Sequence, residues 1–206
     1  MAGFAVLADR LEEQLQRAAV ADVLRAIQTD LETADERVAQ EFARLLKPMA
    51  PASLATLSRS STVLSALSTA RDLVREVHVL ESWPGGEGRR LAEEAGRFHS
   101  RVILHPDQEL ELMADRADMG VIGADALFPD GAVRNKVLSA ALAEALHSRR
   151  KPFYVLASTW KIEPYPPPAR TVDTGDAQVF EVVPARLITA VVTEKGLASG
   201  ARHRLA

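Results

Sequence analysis

The sequence predicts an α/β fold, with a mostly parallel sheet flanked by helices and a short helical region at the N-terminus. Two observations lead to this prediction. From Ala52 onwards, short apolar runs alternate with segments of helical periodicity, which is the pattern of βαβ units. Before that point, apolar residues recur only at helical spacing. We therefore expect a helical N-terminal region at residues 1–50 and an α/β domain at residues 51–206.

Composition narrows the class of protein. The chain has 206 residues, of which 47% are hydrophobic and 26% charged, and this suits one domain with a sizeable core. The formal net charge of −3 does not attract the chain to nucleic acid or to an anionic membrane, so neither is expected as a partner. No cysteine occurs, which excludes disulfides, thiolate metal sites and thiol nucleophiles. Charges interrupt the first apolar residues too early for a signal peptide, and no stretch is long enough to span a bilayer, so we expect a cytoplasmic protein.

The N-terminal region is predicted to be helical because its apolar residues form three stripes at helical spacing, which end at Pro48 and Pro51. The stripes are Phe4, Leu7, Leu11 and Leu15; then Val20, Val23, Leu24, Ile27 and Leu31; then Val38, Phe42, Leu45 and Leu46.

Five strands and four helices are predicted to follow in alternation. The strands are Ala52–Leu57, Glu76–Leu80, Arg101–Leu104, Met119–Ile122 and Phe153–Ala157. The helices are Thr62–Arg71, Glu87–Phe98, Asp107–Ala114 and Val133–His147. Such alternation implies right-handed crossovers and a parallel sheet.

The last quarter of the chain is predicted to be less regular. Four prolines in Glu163–Ala177 favour a surface excursion. A last strand is expected at Val179–Val182, followed by a helix that opens at Pro184 and closes at Gly196. The inward face of that helix would carry Leu187, Ile188, Val191 and Val192.

The candidate ligand site lies in the loops that follow the strands, because open parallel sheets bind ligands outside the carboxyl ends of their strands. Each of the five loops is polar, glycine-rich or both, and we expect them to meet at one rim. They contain Ser58–Thr62, Glu81–Gly88, His105, Gly123–Asp125 and Ser158–Lys161.

The first loop carries Ser58, Arg59, Ser60 and Ser61 where a helix opens. Free backbone N–H groups and the helix dipole favour an anion such as phosphate at this position. Alternatively, one of these serines only caps the helix.

The second loop supplies Glu81, Trp83 and Gly88 as ligand-binding candidates. Its glycines form neither GxGxxG nor a Walker A loop, so nothing in it indicates a dinucleotide or a nucleoside triphosphate. Trp83 could stack on a ligand ring or pack against the protein.

The later loops supply a carboxylate, an amide and two lysines. Asp125 ends an apolar run, where partial desolvation would raise its pKa and suit it to proton transfer; the alternative is a turn or cap residue. Asn135 and Lys136 are expected to begin a helix, and Lys161 could reach a phosphate or remain solvated. The five histidines lack metal-ligand spacing, so no metal or other cofactor is expected, and His105 is interpreted as a loop residue.

Six motifs in order resemble the family of translation initiation factor 2B alpha, beta and delta subunits, which includes methylthioribose-1-phosphate isomerase and ribose-1,5-bisphosphate isomerase. The resemblance spans Ala52 to Gly196. The motifs are Ser60-Ser61-Thr62-Val63; Glu81-Ser82-x-Pro84 with Glu87-Gly88; Gly123-Ala124-Asp125-Ala126; Asp130-Gly131 with Asn135-Lys136; Pro152-Phe153-Tyr154-Val155; and Phe180-Glu181-x-x-Pro184 with Thr193-Glu194-Lys195-Gly196.

This resemblance implies a Rossmann-like domain behind a helical N-terminal region, dimerisation, and a pocket for a phosphosugar or nucleotide at the same rim. Asp125 matches the acid/base carboxylate of the isomerases. Two positions depart from them: Ser58 stands where they carry a cysteine, and Trp83 stands where Glu-x-Arg-Pro supplies an arginine. A serine hydroxyl needs an activating base to replace a thiol, and losing the guanidinium removes a bidentate phosphate contact.

Three hypotheses follow. The first is a homodimeric protein that binds a phosphorylated sugar or nucleotide without the thiol-dependent isomerase chemistry. The second is an aldose–ketose isomerase with Asp125 as acid/base and His105 or Lys161 as its partner. The third is a structural dimerisation or interaction module, which a pocket covered by Trp83 would favour.

Overall fold

The computed structural model describes residue 11, residues 20–167 and residues 179–199. The helices within these residues are α1 (Val20–Leu46), α2 (Ser61–Thr69), α3 (Glu87–Ala95), α4 (Leu110–Arg116) and α5 (Ser139–Ser148). The strands are β1 (Ala52–Leu57), β2 (Val74–Leu80), β3 (Val102–His105), β4 (Met119–Ile122), β5 (Ala126–Leu127), β6 (Val133–Lys136), β7 (Phe153–Leu156), β8 (Phe180–Val183), β9 (Ala190–Thr193) and β10 (Gly196–Ser199).

A seven-stranded sheet in the order β10-β9-β7-β4-β1-β2-β3 organises the molecule. All of its neighbouring strands pair in parallel except the β9–β10 pair. Every residue of β1, β4 and β7 is buried, as expected for strands covered on both faces. The predicted α/β fold with a mostly parallel sheet is confirmed.

Helices cover both faces of this sheet. On one face, apolar side chains of α1, α2 and α3 pack with β1 and β2 in one core. On the other face, α4 and α5 pack in a second core. The C-terminal half of α1 belongs to the first core through Val38, Phe42 and Leu46, each fully buried. The division into regions at residues 50 and 51 stays a prediction.

The second and third N-terminal stripes form one continuous helix of 27 residues, α1. The first stripe lies outside the described residues except for Leu11, which is helical and packs on the cluster of Val23, Ile27, Ala34 and Trp160. None of the helices in the described part of the chain combines the length and the apolar character that a membrane crossing requires.

Two predicted helices are wrong in whole or in part. The segment from Pro184 to Gly196 contains a single 3-10 turn and then β9, which a tight turn joins to β10. Gly196, the first residue of β10, has a φ of +106°, so its positive φ serves a hairpin and not a helix end.

The helix predicted from Val133 begins only at Ser139, because Val133–Lys136 forms β6. β6 pairs with β5 and β8 in a separate three-stranded antiparallel sheet that the sequence did not predict. Residues 163–167 of the proline-rich segment have no regular structure, and the rest of it lies outside the described residues.

Candidate functional site

A pocket of about 340 Å³ lies at the carboxyl ends of β1 and β4. The chain runs from β1 through β2 to β3 on one side and places β4 on the other side of β1, so the strand order reverses there. Ligands of doubly wound sheets bind in the crevice at such a reversal. The lining residues are Ser58, Arg59, Ser60, Ser61, Glu87, Ala124, Asp125, Asn135, Lys136, Lys161, Val179 and Phe180.

Eight of the eleven candidate residues line this pocket: Ser58, Arg59, Ser60, Ser61, Asp125, Asn135, Lys136 and Lys161. The loops after β1, β4 and β7 therefore meet as predicted. Close contact between two of these loops requires Gly123, since a Cβ there would lie 2.4 Å from Ser60 Oγ.

The serine run opens α2, as the sequence predicted. Ser60 caps this helix, because its Oγ accepts a hydrogen bond from Val63 N at 3.3 Å. Ser61 Oγ and Thr62 Oγ1 donate to the two carboxylate oxygens of Asp35 at 2.9 and 2.7 Å, which ties α2 to α1. The first backbone N–H groups of a helix have no acceptor within it, and that of Ser61, which lines the pocket, is available to an anion.

Ser58 adopts a left-handed conformation, with a φ of +57°. Its backbone N–H donates to Ser82 Oγ at 2.6 Å, and that hydroxyl donates to Leu80 O at 3.0 Å. Among the described residues, Ser58 takes part in a hydrogen bond through its backbone but not through Oγ, so its hydroxyl is not bonded to the activating base that a nucleophilic serine needs.

Two of the three basic residues of the pocket are held by carboxylates. Arg59 makes a two-pronged contact with Glu94 of α3 at 3.0–3.2 Å, and this contact lowers the pKa of Glu94. Lys136 is 3% exposed, and its Nζ contacts Glu87 Oε1 at 2.9 Å and the carbonyl of Pro84.

Asp125 faces Lys161 across the pocket. Burial raises the pKa of the Asp125 carboxyl, while the positive charges of Lys161 and Arg134 act in the opposite direction. The side chain is exposed to water in the pocket, yet protein surrounds it on its other sides, so desolvation outweighs the two charges.

Asn135 lies in β6 and not at the start of a helix. Its Nδ2 donates to Ser139 Oγ at 3.0 Å, and Ser139 in turn donates to Lys136 O at 2.6 Å. These bonds fix the amide at the wall of the pocket.

Three candidates do not line the pocket. The Glu81 carboxylate points outwards, where it accepts from Trp83 Nε1 at 2.9 Å and from Arg89 at 2.6 Å. Trp83 is 54% exposed, and the Arg89 guanidinium lies 5.8 Å from its ring centroid. Asp107 accepts from the backbone N–H groups of Ser82 and Trp83 at 2.7 Å each, and this turns the loop away from the pocket.

Gly88 serves packing. A Cβ at this position would lie 1.7 Å from Leu80 O, so α3 can approach β2 this closely only with glycine there. His105 is the last residue of β3 and not a loop residue; it is 2% exposed and lies away from the pocket.

Four lining residues were not predicted as site residues: Glu87, Ala124, Val179 and Phe180. Glu87 was predicted only as part of the second loop, a helix start and a family motif, and its contact with Lys136, 49 residues later in the chain, forms only in the folded protein. Phe180 is brought to the pocket by the unpredicted pairing of β8 with β6. Within the described ranges, no group of three His, Asp or Glu side chains could hold a metal ion.

Comparison with known proteins identifies relatives over most of the chain. The model of the initiation factor 2 subunit family matches residues 4–173. An eIF-2B subunit 2-like translation initiation factor of Pyrococcus horikoshii is 31% identical over 69% of this chain and 56% of its own length. A methylthioribose-1-phosphate isomerase of Desulfitobacterium hafniense is 26% identical over 92% of this chain and 66% of its own length.

Among solved structures, the translation initiation factor eIF-2B of Pyrococcus horikoshii superimposes with a TM-score of 0.75 at 29% identity. The match covers 87% of this chain and 68% of that one. The chain thus spans between half and two thirds of the length of the curated relatives described above.

Proposed function

Since the chain belongs to the initiation factor 2 subunit family, we propose that its pocket binds a phosphorylated sugar or nucleotide and that it lacks thiol-dependent isomerase chemistry. The observation that carries this proposal is the polar pocket at the reversal of strand order, which eight of the candidate residues line. In keeping with the composition, we propose that the protein acts in the cytoplasm.

The phosphate end of the ligand is proposed to lie between the start of α2 and Lys161. The free N–H groups of a first helical turn bind phosphate oxygens, and the helix dipole adds a favourable potential. Lys161 is the cation suited to join them, because Arg59 and Lys136 already contact Glu94 and Glu87.

The hydroxyl groups of the ligand are proposed to meet the opposite wall. Asp125 and Glu87 offer carboxylate oxygens that accept from sugar hydroxyls, and Asn135 adds an amide. A pocket with cationic and helix-terminal groups at one end and carboxylates at the other suits a phosphorylated polyol better than an apolar ligand.

The lack of a cysteine supports the proposal that the chain has no thiol-dependent isomerase chemistry. The chain has no cysteine, and Ser58 has no described base bonded to it. A serine hydroxyl without a base is a poor acid and a poor nucleophile at neutral pH.

Ligand-induced thermal stabilisation tests the proposal. Ribose 1-phosphate, ribose 5-phosphate and AMP would be compared with ribose and sulfate. At a ligand concentration of 100 Kd, binding to the folded state adds about 2.7 kcal/mol of stability, which corresponds to a rise in Tm of several degrees.

Two variants sharpen this test. Lys161→Gln should reduce the stabilisation by a sugar phosphate, whereas Lys47→Gln, at an exposed lysine before β1 and thus at the other end of the sheet, should not. If no sugar phosphate or nucleotide stabilises the chain, and Asp125→Ala changes nothing, the proposal is wrong.

A second candidate function is aldose–ketose isomerisation, which the raised pKa of Asp125 in an accessible pocket favours. Moving a proton between adjacent carbons needs an acid/base pair, and Lys161 is the proposed partner since His105 does not line the pocket. Incubation of ribose 1-phosphate compounds in D2O, followed by NMR, would show deuterium at carbon 1 of the ketose product if this is correct. No exchange across a panel of aldose phosphates, or equal exchange with Asp125→Asn, would exclude it.

Homodimerisation remains a proposal that rests on the family. The covered pocket that would favour a purely structural module is not seen, because Trp83 lies outside the pocket. Light scattering after size-exclusion chromatography should give twice the mass of one chain, and a monomer at micromolar concentration would contradict it.

A further inference from the structure

Two histidines outside the pocket face each other in the interior. His78 of β2 is fully buried and His105 of β3 is 2% exposed. His78 Nδ1 lies 3.0 Å from His105 Nε2, and the ring centroids are 5.2 Å apart. Nothing in the proposed function uses this pair.

The contacts around the pair restrict where its protons can be. His105 Nδ1 lies 2.9 Å from Glu109 Oε2, and because a carboxylate only accepts, this nitrogen must carry a proton. The two facing nitrogens need one proton between them. His78 Nε2 has no hydrogen-bond partner among the described residues and lies 3.4 Å from Glu76 Oε2.

If either of the two facing nitrogens carries the proton between them, the other accepts it, and one hydrogen bond joins the two rings. A proton on both facing nitrogens would leave no acceptor between the rings.

Other charged groups face the pair from each neighbouring element. Glu76 of β2 is itself bonded to Arg101, before β3, at 2.7 Å. Glu109 approaches from the turn before α4, and Arg116 at the end of α4 adds positive charge near His78. Protonation of both rings would place two imidazolium groups in direct contact, with Arg116 adding to the repulsion at His78.

The pair lies directly beneath the loop that follows β2. His105 O accepts from Glu81 N at 2.9 Å, and two residues later Asp107 accepts from Ser82 N and Trp83 N. Ser82 Oγ in turn accepts from Ser58 N, which lines the pocket. If β3 moved away from β2 at His105, the hydrogen bonds of Asp107 with Ser82 and of Ser82 with Ser58 would therefore transmit the movement to the wall of the pocket.

We propose that the His78–His105 pair is an acid-sensitive joint, which fixes the loop after β2 while the rings share one proton between their facing nitrogens and loosens that loop when both rings are protonated. The proposal concerns the support of the pocket and holds whichever ligand the pocket takes.

The direction of the pH effect follows from His78. Burial, first, and then the charges of His105 and Arg116 lower its pKa below the ordinary value of 6.5, against the opposing effect of Glu76. The folded chain then binds fewer protons at His78 than the unfolded chain. Stability is thus complete above about pH 6.5 and is lost as the pH falls through the lowered pKa.

A nitrogen-15 NMR titration of the unmodified chain from pH 8 to pH 4.5 tests the proposal. At pH 7, a single proton should lie between His78 Nδ1 and His105 Nε2. Below pH 6.5, His78 should gain a proton, and the amide signals of Ser82 and Trp83 should shift with the same midpoint. A proton on both facing nitrogens at pH 7, or amide signals that do not follow His78, would overturn the proposal.

Two variants assign the effect. His78→Gln should abolish the shared midpoint at Ser82 and Trp83; if it persists, Asp107 titrates instead and the proposal is wrong. His99→Gln is the matched control, because His99 is also buried but lies by Val74 at the other end of the sheet. It should leave the titration unchanged. If His78→Gln fails to fold, the NMR titration of the unmodified chain still tests the proposal.

Discussion

Asp125 affects both the stability of the fold and the proposed acid/base chemistry. Its raised pKa means that the folded chain holds its proton to a higher pH than the unfolded chain, so ionisation at neutral pH destabilises the fold. Asp125→Asn cannot ionise and should unfold at a higher temperature than the parent at pH 7. Below about pH 3.8 both side chains are neutral, and the difference should vanish.

Thermal unfolding of both proteins between pH 3.5 and pH 8 measures this effect. Asp72→Asn, at a side chain that is 90% exposed, is the control and should change little at any pH. A destabilised Asp125→Asn at pH 7 would show that the carboxylate is stabilised and not desolvated.

Gly88 should tolerate no side chain. Gly88→Ala places a methyl group 1.7 Å from a backbone oxygen, which can be relieved only if α3 moves away from β2. Overpacking of this kind costs about 3 kcal/mol or more. Urea denaturation would measure the loss, and Gly96→Ala, at the end of α3 with the nearest atom 3.2 Å away, should change stability by less than about 1 kcal/mol. Equal effects of the two substitutions would contradict this account.

At this scale the sequence predicted the position of Asp125 and offered a serine cap of α2 as one of two alternatives, because both depend only on where a strand ends and a helix begins. It could not predict that Ser61 donates to Asp35, since the two residues meet only after α1 packs on α2. The outward direction of Glu81 and Trp83 likewise depends on Asp107, 24 residues beyond Trp83.

Helix α5 is capped by another element. Leu138 precedes it in a left-handed conformation and provides no cap, and Glu181 of β8 instead accepts from Ala140 N at 2.7 Å. Burial raises the pKa of Glu181, and the backbone N–H groups of Ala140, Ser139 and Leu138 act against this. Glu181→Ala should destabilise the chain by about 1 kcal/mol, as loss of a cap does.

Chemical denaturation at pH 7 would measure this loss. Glu181→Gln keeps an accepting oxygen and should lose less than Glu181→Ala, whereas Glu144→Ala, at a 62% exposed position on α5, is the control. If Glu181→Ala is no less stable than the Glu144→Ala control, the Glu181 cap contributes nothing to the stability of the fold.

The attachment of α1 to α2 can be tested by a double-mutant cycle. Asp35→Ala and Thr62→Val each remove a partner of the same 2.7 Å hydrogen bond. Hydrogen bonds to charged groups contribute about 1.5–3 kcal/mol, so the two changes should be non-additive by at least 0.5 kcal/mol, on the order expected for residues in contact. Additive effects would mean that Asp35 does not hold α2.

The segment from Pro184 shows why element type was misjudged. Leu187, Ile188, Val191 and Val192 recur at a spacing that fits one helical face, yet three of the four are β-branched and suit a strand. Parallel pairing of β9 with β7 buries Val191 and Val192, and that tertiary contact decides the outcome. Short apolar runs can form either a helix or a strand. The same ambiguity explains why β6 was predicted to be helical.

For the whole molecule, the five main strands and the location of the site were predictable from alternating patterns, because parallel topology brings all carboxyl ends to one edge. The three-stranded antiparallel sheet could not be predicted, since β5, β6 and β8 are short and 43 residues separate the end of β6 from the start of β8. That sheet supplies Asn135, Lys136 and Phe180, so part of the pocket wall comes from it and not from the five loops.

A crystal structure of the chain with ribose 1-phosphate tests the central claim most directly. The account predicts a phosphate within hydrogen-bond distance of the Ser61 N–H group and of Lys161 Nζ, with sugar hydroxyls towards Asp125 and Asn135. A ligand bound at any other surface, or an empty pocket at a saturating concentration of ligand, would contradict it.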